Sequence, residues 1–276
     1  MKFIKMNRRD FLKKFTQLTV LGAFPFLYSW QIEPFWVEFV YKKMPIKNLP
    51  EELEGKTLIQ ISDLHVGNRF DWKFLIDSFR KAQKLKPDFV VYTGDFVQYG
   101  NQSERKDLET VLQNAVLGKL GTVGILGNHD YGKNWSEPDV ADEIVKIAEN
   151  SGIKMLLNEE FEVFGLNFIG FEDLWSNRFQ PEKAMQDFNP EKANLVRCHN
   201  PDACDLDIWN GYQGWILSGH THGGQCRIPG VVTPFLPVKN RKYISGKIDL
   251  EDGRTLYINR AIGHSYQVRF MVRPEI

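Results

Sequence analysis

The stretch Leu58-Ile59-Gln60-Ile61-Ser62-Asp63-Leu64-His65-Val66-Gly67 opens as a short apolar run and closes on a carboxylate and an imidazole two positions apart. The run has the length and texture of a buried strand. On an extended backbone, residues i and i+2 point the same way, so Asp63 and His65 can reach one ion from a strand end. Alone, such a pair is equally well a hydrogen-bonded couple with no metal. Its meaning depends on what the other strand ends carry.

Four further apolar runs end in the same manner. Residues 89–93 lead into Gly94-Asp95, and 122–126 into Gly127-Asn128-His129-Asp130. Residues 194–198 lead into His199, and 215–218 into Gly219-His220-Thr221-His222. Five of the chain's 6 histidines sit in these turns. In open α/β sheets, ligands bind at the ends of strands. Glycine permits tight turns and close backbone approach there. Five such turns in one chain are hard to explain as satisfied core histidines.

Between the first runs lie helical patterns over 71–86, with Leu75, Phe79 and Ala82 on one face, and over 104–115. A third begins at Ser136-Glu137-Pro138-Asp139 with a hydroxyl cap and early acids. Afterwards the texture turns to short strands at 155–157, 161–164 and 166–170, and the tail from 231 to 276 is strand-rich. Alternation first and strands later predict an α/β domain with helices on the outer faces of the sheets.

The chain has 276 residues, 42% hydrophobic and 25% charged, as in an ordinary globular protein. Its formal charge of zero is uneven: the first 14 residues sum to +5 and the remainder to −5. A mildly acidic body is a poor grip for a polyanion, which argues against nucleic acid as partner. The cysteines, Cys198, Cys204 and Cys226, are odd in number and lack metal-site spacing. Free, mostly buried thiols are expected, and Cys198 and Cys204 pair only if the backbone between them allows it.

Residues 1–30 read apart from the fold. Asn7-Arg8-Arg9-Asp10-Phe11-Leu12-Lys13 resembles a twin-arginine export signal. The uncharged stretch 15–30, interrupted by Pro25, is short for a membrane span and fits a signal's apolar region. An amphipathic or anchoring segment is the alternative, and without a clear A-x-A site, cleavage stays open. Residues 31–55 read as a linker with a first strand at 38–41.

Taken in order, Asp63-x-His65, Gly94-Asp95, Gly127-Asn128-His129-Asp130, His199 and Gly219-His220-Thr221-His222 resemble the motif set of the calcineurin-like metallophosphoesterases. The likeness covers roughly 56–276. It implies a four-layer αββα sandwich with two divalent ions. Asp63, His65, Asp95 and His222 would hold one ion, and Asp95, Asn128, His199 and His220 the other, with Asp95 bridging. Carboxylate, amide and imidazole ligands suit Mn, Fe or Zn. Such a pair of ions activates water and polarises a phosphoryl oxygen, so no separate base is needed. His129 would protonate the leaving oxygen or stabilise developing charge, with Asp130 orienting its ring.

Ile32-Glu33-Pro34, His199-Asn200-Pro201-Asp202 and Arg273-Pro274-Glu275-Ile276 resemble the bacterial branch exported by the twin-arginine translocase. That branch looks related to UDP-2,3-diacylglucosamine pyrophosphatases. The resemblance implies a phosphorylated small-molecule or lipid-linked substrate and membrane association. The location would be the periplasm, the cell wall or the outer face of the cytoplasmic membrane.

Weaker candidates remain. Asn200 and Asp202 suit a turn and helix cap. Gly223-Gly224-Gln225 either offers backbone donors to phosphate or lets the chain pass close to the metals. The loop 172–190, with Trp175, Arg178 and Phe179, is a lid or a packed surface loop. His264 lies outside every motif. Ser62 and Ser218 have no base at the spacing of a serine hydrolase. A rival of another class is a non-catalytic scaffold, whose signature would be lost ligands or a lost His129; all are present.

Overall fold

A computed structural model describes residues 7–67, 71–228, 230–231, 233 and 236–276. The first six residues of the leader, and Pro229, Val232, Pro234 and Phe235 of the tail, lie outside the described residues.

Two sheets stack face to face. The first joins β1 (Leu58–Ile61), β2 (Phe89–Thr93), β3 (Gly121–Ile125) and β4 (Lys154–Met155), all parallel and in that order. The second contains β5 (Glu159–Val163), β6 (Leu166–Gly170), β7 (Ala193–Arg197), β8 (Gly214–Ser218), β9 (Gly246–Asp249) and β10 (Arg254–Ile258). Its spatial order is β5-β6-β7-β8-β10-β9, with β5 and β9 as antiparallel edges around a parallel centre. Every residue of β2, β6 and β7 is buried, as a parallel strand covered on both faces requires. The edge strand β5 instead carries Glu159, Glu160 and Glu162, which discourage further pairing.

Side-chain alternation divides the core into layers. Phe89, Val91, Leu166, Phe168, Leu195 and Leu217 meet between the sheets. On the outer face of the first sheet lie α2 (Lys73–Gln83), α3 (Gln102–Leu112) and α4 (Pro138–Asn150), burying Phe79, Leu108 and Ile144. The expected face of α2, Leu75, Phe79 and Ala82, is the buried one. Outside the second sheet the fourth layer is thin. It consists of a single helical turn at Pro181–Ala184, a 3-10 turn at Pro201–Asp205, and loops that bring Trp209 and Tyr212 onto Val196 and Ile216.

All three cysteines are free, and Cys198 and Cys204 are buried in this outer layer. Arg197 is enclosed between the sheets, its guanidinium 5.1 Å from the Phe168 ring centre. No hydrogen-bond partner for it occurs among the described residues.

At the N-terminus α1 spans Arg8–Leu27, capped by Asn7, whose side chain accepts from the Asp10 N–H at 2.8 Å. Among the described residues, no helix is long and apolar enough to cross a membrane. The strand expected at 38–41 is a single bridge instead: Glu38 pairs with Glu275, and Val40 N–H donates to the Ile276 carbonyl. Its partner, Glu275, belongs to neither sheet.

Candidate metal centre

The strand ends converge on one spot, and the backbone there is unusual. Asp63 (φ 53°), His65 (φ 48°), Asp95 (φ 55°), His220 (φ 71°) and His222 (φ 51°) all lie in the left-handed region. That region is unfavourable for residues with a Cβ, and such strain clusters at functional sites. Two glycines make room for the carboxylates. A Cβ on Gly127 would lie 2.2 Å from Asp95 Oδ1. One on Gly219 would lie 2.0 Å from Ser62 Oγ and 2.3 Å from Asp63 Oδ2.

Donor atoms of Asp63, His65 and His222 form one group, and those of Asp95, His199 and His220 a second. In the first, His222 Nε2 lies 3.3 Å from Asp63 Oδ1 and 3.0 Å from His65 Nε2. In the second, His199 Nε2 lies 3.1 Å from Asp95 Oδ2. The same Asp95 oxygen is 3.5 Å from His65 Nε2, so Asp95 stands between the groups. Asn128 opens the turn Asn128–Tyr131, buried, with both side-chain polar atoms lacking a hydrogen-bond partner among the described residues.

The histidines are held from behind. The Thr93 carbonyl lies 2.7 Å from His199 Nδ1, and the Pro237 carbonyl 2.9 Å from His220 Nε2. A carbonyl only accepts, so each of these nitrogens carries a proton, which leaves the opposite nitrogen as the one available to a metal. Metal-ligating histidines are typically fixed in this way. Asp63 is held by Ser62 Oγ at 2.5 Å and by the His220 N–H at 3.0 Å.

The electrostatics match a cation site. Burial opposes charge on Asp63, but His222 and His199 together hold its carboxyl down at about 2. Asp95 is likewise held well below the usual range, against burial, chiefly by His199 and His129. Burial keeps His65 well below the usual imidazole value and brings His220 down to about 3, so both stay neutral donors. His199 goes the other way: against burial, the adjacent Asp95 carboxylate raises its imidazole well above the usual value, drawing positive charge to the place between the groups. Ionised carboxylates, neutral His65 and His220, and an unpartnered buried amide fit a divalent ion.

His129 is half-buried beside this cluster, its ring centre 4.8 Å from that of His65. Its backbone N–H donates to Asp95 Oδ1 at 2.9 Å. Its ring Nδ1 lies 2.7 Å from the Gln98 carbonyl. The orienting group is therefore Gln98, and the expectation for Asp130 needs correction. Asp130 accepts from the amides of Phe96, Val97 and Gly127, clamping two motif loops together without touching the imidazole. Burial and the neighbouring Asp95 push its carboxyl up to about 8. A backbone carbonyl leaves no mark in side-chain spacing, so Gln98 was not visible in the motif.

The weaker candidates separate cleanly. Asn200 Oδ1 caps the turn at Pro201–Asp205, and Asp202 accepts from Lys239 and Asn240 N–H. The amides of Gly223, Gly224 and Gln225 are spent on Thr221 and His222, so the glycines serve close passage. Beyond β6, the loop is a packed one, pinned by Arg178 to Asp142 and by Asn158 to Glu172. It still reaches the site, since Trp175 stands edge-on to His220 at 4.6 Å. Asp173, fully buried on the same loop, follows the buried strand β6 and is an acidic strand end outside the motif set. His264 packs edge-on to Phe35 at 6.1 Å.

Two stacked sheets with histidine and aspartate clusters at their strand ends define a metallophosphoesterase. The family model described as calcineurin-like phosphoesterase matches residues 56–224, and the chain belongs to that family. It is a hydrolase acting on phosphoester bonds. It is similar to the phosphodiesterase YaeI of Escherichia coli, 28% identical over 278 residues, covering 98% of this chain and 97% of that protein. It is also similar to the UDP-2,3-diacylglucosamine pyrophosphatase LpxG of Chlamydia trachomatis, 28% identical over 283 residues, covering 83% and 85%. A third relative, the uncharacterized metallophosphoesterase YkuE of Bacillus subtilis, is 25% identical over 284 residues, covering 99% and 96%.

Proposed function

We propose that the chain hydrolyses a phosphoester or pyrophosphate bond with two divalent ions, Mn, Fe or Zn. Asp63, His65, Asp95 and His222 would hold one ion, and Asp95, Asn128, His199 and His220 the other. The observation that carries this reading is the place of Asp95, within reach of His65 on one side and His199 on the other. When bound, the ions would polarise the phosphoryl group and lower the pKa of a water.

The chain's own residues account for the rest. The Thr93 and Pro237 carbonyls fix which nitrogen of His199 and His220 faces inward. His129 donates Nδ1–H to Gln98, so proton exchange with a leaving oxygen falls to Nε2. Asp130 keeps the His129 loop against the Asp95 loop. The test is hydrolysis of a nitrophenyl phosphodiester by manganese-loaded protein, against an Asp95→Ala control. Equal rates in the two samples would sink the reading.

A narrower reading takes a lipid-linked pyrophosphate as substrate. It is favoured by the likeness to two pyrophosphatases named for a diacylated sugar nucleotide. Release of a lipid monophosphate from a nucleotide-linked lipid would support it. Residues 1–30 act in this reading as a twin-arginine signal or anchor, 31–55 as a linker and 56–276 as the hydrolase. The enzyme would then work beyond the cytoplasm, at the outer face of the membrane. Arg8→Lys with Arg9→Lys should strand the protein in the cytoplasm, and unchanged fractionation would refute export by that route.

A further inference from the structure

One side of the site carries aromatic surface that the hydrolytic chemistry does not use. The Trp175 ring stands edge-on to His220, centroids 4.6 Å apart. Trp135 lies against Trp175 with centroids 4.5 Å apart and planes inclined by 33°. A chain of three rings thus runs outward from the metal cluster and ends at Trp135, which is 37% exposed.

The backbone holds this outermost ring in place at a conformational cost. Asn134 (φ 56°) and Trp135 (φ 57°) are consecutive residues in the left-handed region. For a bulky residue such as tryptophan this is an outlier, of a kind found at ligand clamps. The loop is closed at its base, where Glu137 N–H donates to the Tyr131 carbonyl at 2.8 Å. Tyr131 is itself fully buried and donates to Glu172 at 3.0 Å. The same short segment begins at Asn128 and His129, so the position of Trp135 is tied to the site.

A large apolar ring displayed at 37% exposure needs a reason when the loop is strained to display it. Planar heteroaromatic groups stack on such rings, and base–aromatic stacking is worth a large factor in affinity. We propose that Trp135, backed by Trp175, is a stacking platform for the nucleobase of a nucleotide-linked phosphoester or pyrophosphate. This rests on the phosphoryl chemistry proposed for the adjoining centre. The platform would set substrate choice, placing the base to one side while the phosphate lies at the metal cluster. Trp135 is a specificity residue and touches no reacting atom.

The experiment is calorimetric titration of the metal-loaded full chain with uridine 5′-monophosphate and, separately, glycerol 3-phosphate. Both present a phosphate monoester, and only the first has a base. Wild type should prefer the nucleotide. Trp135→Leu should lower that preference by about 5- to 150-fold, the range for loss of one stacked base. Trp135→Phe should keep most of it, because an aromatic face remains.

Tyr99, 53% exposed and 6.4 Å from the His129 ring, borders the site by a different residue, and Tyr99→Ala should leave the preference intact. The assignment is overturned if wild type shows no preference, if the Leu and Phe variants behave alike, or if Tyr99→Ala abolishes the preference instead. Binding is read as the dissociation constant and turnover as released phosphate, separately on the same samples. A chain that binds the nucleotide through Trp135 but hydrolyses nothing would refute the proposed function and leave the platform standing.

Discussion

His129→Ala separates two roles that geometry brings close together. Donor atoms of His65, Asp95 and His129 lie within 4.8 Å of one another, so the ring is within range of ligation. Its other contacts argue for proton transfer. Removing the ring deletes the Nδ1–H bond to Gln98 but leaves the backbone N–H that holds Asp95 Oδ1 at 2.9 Å. Asp95 therefore keeps its orientation, and both ions should remain. The Gln98 carbonyl loses one partner, a cost of about 1 kcal/mol in stability, so the variant should fold.

Loss of a general acid slows the chemical step by about 10²- to 10⁴-fold. That loss should be full for an alkyl leaving group and much smaller for nitrophenolate, which departs without a proton. The assay is kcat on both kinds of diester, with metal content measured on the same samples. A drop in bound metal, or an equal loss for both leaving groups, would refute the proton-transfer role.

Three further outcomes follow from single contacts. Gly219→Ala places a Cβ 2.3 Å from Asp63 Oδ2, so it should cost about 1–3 kcal/mol in thermal unfolding and lower metal content together. Arg197→Met replaces a fully buried guanidinium that lacks a hydrogen-bond partner among the described residues, and should raise stability by about 1–4 kcal/mol. A destabilised variant would mean that the charge is compensated. Asp88 accepts from Thr57 N–H at 2.9 Å and Thr57 Oγ1 at 3.1 Å, and the backbone bond to Thr57 is the main cause of its lowered pKa. Its contribution is full above the ordinary aspartate value and is lost as pH falls through the lowered folded value. Asp88→Asn should therefore cost about 1 kcal/mol near neutrality and less in acid, as read from denaturant midpoints against pH.

Much of the site was legible because ligands sit where apolar runs stop. The boundaries of β2 coincide with the apolar run 89–93, and Gly94-Asp95 closes it. Helix ends were less visible. The α3 helix begins at Gln102 because Asn101 accepts from the amides of Ser103 and Glu104, whereas Glu104 turns back to Tyr99 N–H. What stayed hidden depends on distant main chain. The motif predicts that Asp130 orients its sequence neighbour, yet two of its three amide partners, Phe96 and Val97, lie 34 and 33 positions away. The Gln98 carbonyl and the left-handed turn at Trp135 are likewise products of tertiary placement, with no periodicity to announce them.

In the proposed centre, Asp95 joins two ion sites. The most direct test is elemental analysis of protein purified under native expression, beside Asp95→Ala handled identically. Wild type should carry near two divalent ions per chain, and Asp95→Ala should lose metal from both sites along with its activity. One ion or none in wild type, or an Asp95→Ala protein that still holds two and turns over, would contradict it.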